Sequence, residues 1–252
     1  AAASGNFTRY VDPFIGTDGT GHAFPGAAVP FGMVAPSPDN ADTGWSYSSG
    51  YQYQDKTILG FSNTHSSGAG INELGDVLLQ PASGRNWTAA TRDFSSRYDK
   101  ASERATPGFY GVRLSDNRVS VELTTSQRVA FQRYRFESVN GAQVLADFQH
   151  GLKFQHDDRV LESDIAINAA NNEISGTVHT QGWVTRQYAF VLRFDQPFSA
   201  LRLPARAGEK APRYVLNFKP GADHTLEARI AFSTVDVAGA RRNLAVVDGK
   251  NF

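Results

Sequence analysis

The run Thr225 to Ser233, TLEARIAFS, constrains the fold more than any other stretch of the chain. Leu226, Ala228, Ile230 and Phe232 alternate with Thr225, Glu227, Arg229 and Ala231, and a period of two puts the first set on one face of a half-buried strand. Tyr188 to Phe194, YAFVLRF, does the same with Tyr188, Phe190, Leu192 and Phe194. Val119 to Leu123, Val144 to Phe148, Ile174 to His179 and Tyr214 to Phe218 are shorter candidates bounded by Gly, Asn, Asp or Pro. In Val129 to Phe136 the apolar positions change phase between Phe131 and Tyr134, which predicts a bulge. A helix is expected over Val237 to Val246, with Asp236 as its N-cap. Many short strands with little helix predict an all-β fold, an antiparallel sandwich or barrel. No internal repeat and no Pro/Ser-rich linker divides the chain, so residues 1–252 read as a single large domain.

Composition narrows what such a domain does. At 40% hydrophobic and 12% aromatic residues, it can bury a sizeable core. The 25 Lys and Arg balance 25 Asp and Glu, and no long basic run appears, so there is no electrostatic footprint for nucleic acid or an anionic membrane. No apolar run approaches the roughly 20 residues of a membrane span. The absence of cysteine removes disulfides, thiolate metal sites and a cysteine nucleophile. The opening Ala1-Ala2-Ala3-Ser4-Gly5 reads either as the remnant of a cleaved signal peptide or as an appended segment, with a lean toward export.

The first 90 residues or so look different: rich in glycine, poor in alternation. Gly16-Thr17-Asp18-Gly19-Thr20-Gly21-His22 has its glycines in the wrong order for a dinucleotide fingerprint and lacks the Lys-Ser/Thr of a P-loop. It reads either as a tight connection before Phe24-Pro25-Gly26 or as a loop offering backbone amides and His22 to a ligand. Trp45 sits in GWSYSSGY, where aromatic faces beside hydroxyls suit a small polar ligand such as a pyranose; the tyrosines read equally as half-buried strand residues. His65, within GFSNTHSSGAG (Gly60 to Gly70), is either hydrogen-bonded in its own loop or presented to a ligand, and this run resembles neither strand nor helix. His150 and His156 make a weak metal pair, and His179 and His224 look like ordinary strand positions. Asp12, Asp18, Asp39, Asp42, Glu73 and Asp76 are the carboxylates of the loop-rich segment, but no spacing shows that two converge as glycoside hydrolysis requires. A serine triad lacks its G-x-S-x-G elbow.

Two blocks, YVDPFIGTDGTGHAFPGAAVPFGMVAPSPDN (Tyr10 to Asn40) and SSGYQYQDKTILGFSNTHSSGAGINELGDVLLQP (Ser48 to Pro81), resemble the N-terminal domain of glycoside hydrolase family 92, the exo-acting, calcium-dependent α-mannosidases. RIAFSTVDVAGARRNL (Arg229 to Leu244) is similar to that domain's last strand and following short helix. The resemblance implies a large, supersandwich-like β-sandwich packed against a C-terminal (α/α)6 catalytic domain, with the mannose pocket between them. The general acid, the general base and most calcium ligands come from that second domain, so this chain carries no catalytic residue and no metal ligand of its own. Gly19, His22, Phe24, Trp45 and His65 are implied as substrate-binding. Mannose-containing glycans and the C-terminal domain are the implied partners, inversion the implied chemistry, and a secreted or periplasmic bacterial location the implied setting. The alternative is a free-standing carbohydrate-binding or interaction sandwich without catalysis.

Overall fold

A computed structural model of the chain describes residues 7–154, 159–250 and 252. The Ala1–Gly5 opening and His156 lie outside the described residues. Two antiparallel sheets pack face to face. The six-stranded sheet runs β1 (Ser37–Asp39), β3 (Gly60–Ser62), β4 (Leu78–Ser83), β9 (Ala142–Asp147), β14 (Arg213–Phe218) and β13 (Phe198–Arg202). The nine-stranded sheet runs β10 (Val160–Asn168), β11 (Glu173–Gln181), β12 (Thr185–Phe194), β15 (Thr225–Ser233), β8 (Val129–Phe136), β7 (Val119–Thr125), β6 (Phe109–Leu114), β5 (Ser96–Thr106) and β2 (Thr57–Ile58). The architecture is an open sandwich.

Alternation makes the core. Leu226, Ala228, Ile230 and Phe232 of β15 face inward beside Tyr188, Phe190, Leu192 and Phe194 of β12. From the other sheet come Phe61, Leu79, Val144, Ala146, Leu216 and Phe218. Aromatic rings join the layers: Phe148 stacks on Phe190 at 5.0 Å and Phe194 lies 4.9 Å from Phe218. Each such ring, fully withdrawn from water, contributes about 1.5–3 kcal/mol.

Strands covered on both faces lose the simple pattern. On β8, Ala130, Tyr134 and Phe136 face the sandwich while Val129 and Phe131 face out, under helix α1 (Val237–Ala245). The pairing of β8 with both neighbours is continuous, so the expected bulge is absent. The phase change instead arises because Gln132 is buried among apolar residues, where it bonds Asn63 and Tyr134. The helix starts as expected: Asp236 accepts the Gly239 amide at 2.5 Å, satisfying an otherwise free donor.

A second correction concerns Gly60–Ser62, which forms β3, pairing with β1 through all three residues. Three residues flanked by glycine and polar groups offer no window in which alternation can show. Trp87, polar in sequence context, is buried against Phe94 on the outer face of the six-stranded sheet.

Candidate functional site

The loops between residues 12 and 76 gather at one side of the sandwich and form a wall two layers deep. The outer layer starts at the glycine-rich loop. Ala23 N donates to Gly16 O at 3.0 Å to close it, and Gly21 passes so near that a Cβ there would lie 2.2 Å from Gly16 O. Only glycine fits. His22 follows in the left-handed region at φ 53°, a conformation that costs a residue with a side chain about 1 kcal/mol or more and is held by its surroundings. Its Nδ1 lies 2.7 Å from Ser48 Oγ, and its ring meets the Trp45 indole edge-on at 4.4 Å. Trp45 occupies a one-turn 3-10 helix (Trp45–Tyr47), keeps 47% of its surface exposed, and donates Nε1–H to Gly70 O at 2.9 Å. Gly19 is exposed at the rim, and its carbonyl accepts from Gln52 Nε2 at 3.1 Å. The structure thus brings His22 and Trp45 into contact, and Gln52, which donates to Gly19 O and to Ser46 O, ties the glycine-rich loop to the turn that carries Trp45. His22 Nε2 is buried with no hydrogen-bond partner among the described residues.

The inner layer is a buried ionic network. Asp39, at the end of β1, lies 2.8 Å from His65 Nε2 through Oδ1 and 2.8 Å from His150 Nε2 through Oδ2. His65 Nδ1 donates to Ala35 O at 2.7 Å, and Phe24 covers the ring at 5.1 Å between centroids. Phe24 and His65 therefore sit together behind the outer layer, and His65 has both ring nitrogens engaged within the protein. Gly50 passes over Asp39 so closely, at φ 80°, that a Cβ there would fall 1.9 Å from Oδ1. Burial alone would raise the Asp39 carboxyl, but attraction to His65 and the hydrogen bonds from both histidines outweigh it and hold the group well below the usual carboxylate range. Burial opposes charge on His150 too, yet the Asp39 bond and charge raise it above its ordinary value.

Two further devices fix the wall to the sandwich. A register shift in β5 between Asp99 and Arg104 lets Lys100 and Glu103 turn toward the loops. Lys100 Nζ lies 3.7 Å from the Tyr53 ring centroid, bonds Tyr51 Oη at 2.6 Å and pairs with Glu103 at 2.7 Å. Asp76 accepts from Thr64 Oγ1 and Arg186 Nη2, both at 2.6 Å. The other loop carboxylates are likewise engaged: Asp12 by the Phe14 amide, Asp18 by Gln54, Asp42 by Thr43, Glu73 by Arg159.

Among the described residues, no group of three or more His, Cys, Asp or Glu side chains is arranged to hold a metal ion. Among the described residues, no helix is long and apolar enough to cross a membrane.

Beyond Trp45 the wall continues where sequence reading did not reach. Gly70, Ile71 and Asn72 lead into a cleft of about 450 Å³ whose far side is Phe154 and Trp183. Trp183 lies on the turn between β11 and β12, in a stretch without alternation to mark it.

Fold and site together define a β-sandwich domain with an aromatic, hydroxyl-bearing loop wall on one side. The chain belongs to the glycosyl hydrolase family 92 N-terminal domain family, whose pattern matches residues 10–233. It is similar to a family 92 α-mannosidase of Bacteroides thetaiotaomicron, solved also in complex with mannoimidazole: 31% identity, TM-score 0.86, covering 97% of this chain and 35% of that one. A family 92 inverting mannosidase of the same organism shares the fold at 20% identity and TM-score 0.79, covering 100% of this chain and 34% of that one. An uncharacterized secreted glycosidase of Arthroderma benhamiae is 32% identical over 146 residues, which is 56% of this chain and 19% of that protein. The chain thus spans about a third of the length of the solved relatives and a fifth of the fungal one.

Proposed function

We propose that this chain is the N-terminal, non-catalytic half of an exo-acting, inverting α-mannosidase, and that its loop wall forms one side of a mannose site completed by a C-terminal catalytic domain. The observation that carries the reading is the outer layer. A half-exposed indole beside an imidazole nitrogen with no partner among the described residues suits a pyranose, which takes both an apolar platform and a hydrogen bond. Gly19 and His22 border the sugar and Trp45 supports it. Phe24 and His65 act from behind, with His65 bracing the segment that carries Ser48 through Asp39 and Gly50.

Inversion needs one carboxylic acid to protonate the leaving oxygen and one carboxylate to activate water across the ring. The resemblance to the family assigns both catalytic groups and the calcium ion to the second domain, and the internal partners of the loop carboxylates named above are in keeping with that assignment. The 31% identical mannosidase and the fungal relative named as secreted support mannose-containing glycans as substrate and a secreted or periplasmic setting.

Release of mannose from α-mannobiose tests the reading. The chain alone should release none with or without calcium, and the chain joined to its catalytic domain should release it. In that two-domain protein, Trp45→Ala should lower kcat/KM at least tenfold. Robust release by the chain alone would overturn the half-enzyme reading.

A further inference from the structure

We infer that the cleft on the outer face of β5, β6, β7 and β8 binds a short acidic oligosaccharide through its arginines; this goes beyond the proposed function and does not rest on it. The cleft holds about 330 Å³, and the strand register builds it. Gly111 lies between Arg104 and Glu122, and Ser120 between Arg113 and Arg135, so small residues form a floor between long ones. The Phe109 ring lines the cleft and leans over Gly111, where a Cβ would meet its Cζ at 3.2 Å. Helix α1 covers Val129 and Phe131 farther along β8, while Arg104, Arg113, Ser120 and Arg135 stay exposed.

The chain as a whole is neutral, with 25 Lys and Arg against 25 Asp and Glu, yet this cleft gathers Arg104, Arg113, Arg133 and Arg135 beside Glu122. Glu137 engages Arg113, and Arg133 pairs with Glu227 at 2.8 Å and Glu122 at 3.6 Å. Among the described residues, Arg104 and Arg135 have neither an ion pair nor a side-chain hydrogen bond. They stand on the two rim strands, roughly 14 Å apart at the usual strand spacing. Like charges gathered on one sheet face cost stability, and a ligand with spaced oxyanions relieves that cost. A guanidinium presents a fork of donors that suits carboxylate and sulfate alike.

An acidic peptide would meet the same charges but not the same surface. Strands β6 and β7 are paired on both sides, so their backbone groups are used and an added strand finds no edge. A saccharide needs no backbone partner. Its C–H faces suit Phe109, its hydroxyls suit Ser120, and its acidic groups suit Arg104 and Arg135. The rim is also set beforehand. Ser102 Oγ accepts the Arg113 amide at 2.8 Å and donates to Asp99 O at 2.6 Å, which pins the shifted part of β5 against β6. A pre-set surface binds with less ordering cost than a loose one.

The Gly111 and Ser120 amides in a ¹H–¹⁵N spectrum of the chain test this, with tetrasaccharides as probes. A hyaluronan fragment carries carboxylates, a heparin fragment carries sulfates, and cellotetraose is neutral. At least one acidic sugar should shift Gly111 and Ser120 while residues 44–50 stay unmoved, and which one does so identifies the anion. Cellotetraose should shift neither. Arg104→Ala and Arg135→Ala should each weaken binding roughly two- to fivefold, and raising salt from about 0.02 M to about 0.5 M should weaken it further. Arg97→Ala, which removes a guanidinium already paired with Asp116, should leave it unchanged. Arg104 and Arg135 are exposed, so both variants should melt with the parent, which separates loss of binding from loss of fold. An equal response to cellotetraose, or an affinity indifferent to both variants, would overturn the site. So would silence of Gly111 and Ser120 to both acidic sugars, and a glutamate-rich peptide that shifts them in that case would point to a protein partner instead. None of these outcomes bears on release of mannose from α-mannobiose, so the proposed function stands or falls separately.

Discussion

The strand body and the loop wall are stabilised by opposite means. In the body, from β5 to β15, apolar side chains alternate inward and burial supplies the driving force. In the wall, the buried groups are polar: Asp39, His65, His150 and Asn63 are withdrawn from water and held by hydrogen bonds and charge. Of the non-glycine residues with left-handed backbone, His22, Phe31, Leu74, Val77 and Asn86 fall within residues 22–86. Such strain persists where surrounding contacts over-determine it, and it concentrates at functional surfaces. The body can therefore tolerate apolar exchange, whereas the wall depends on particular pairs.

Equal damage by different physics is the strongest way to break the contrast. Phe190→Ala removes a fully buried ring stacked on Phe148, and should cost about 3–5 kcal/mol in urea unfolding at any pH where the chain folds. Asp39→Ala leaves two buried histidines without their acceptor and should cost a similar ~3–5 kcal/mol. If Asp39→Ala is neutral, the wall is not held by charge.

The two losses should part company with pH. Asp39 has a lowered folded value, so its contribution is fully present above its ordinary 3.8 and is lost as pH falls through the depressed value. His150 has a raised folded value, so its contribution is fully present below its ordinary 6.5 and is lost as pH rises through the raised value. Thermal melts should therefore show the network contributing most between pH 3.8 and 6.5, and Asp39→Asn should flatten that dependence. Phe190→Ala should leave its shape unchanged.

A smaller effect sits at the seam between the regions. Lys100→Ala removes an ammonium from the Tyr53 and Tyr51 rings and should cost about 1–2 kcal/mol. Faster amide exchange across residues 51–53 is expected, with β7 unaffected. Least of all, Arg97→Ala breaks an exposed pair with Asp116 and should leave the melting temperature unchanged within error.

Legibility in the sequence followed the same division. Alternation exposed β15, β12 and β7, and the Asp236 cap exposed the helix, because one-sided burial writes itself at period two. It failed at β8, where helix and sandwich cover opposite faces, and at β3, which is too short. Strand β5 went unread because its exposed face is charged and its ladder shifts register midway. In the wall, residue types pointed to Trp45 and His22 as possible partners of one ligand. Nothing in spacing joins Asp39 to His65 and His150, which lie 26 and 111 residues away in the chain. Trp183 reaches the wall only through the folding of a distant hairpin onto Glu73.

If the proposed function holds, the loop wall, and not the sheet surface, meets the sugar. Amide hydrogen exchange of the two-domain protein with and without mannoimidazole tests it most directly. Slowed exchange across residues 16–24, 44–50 and 66–72, with the outer face of β6 and β7 unchanged, is the predicted result. Slowing confined to β6 and β7, with all three loop segments indifferent to the inhibitor, would contradict it.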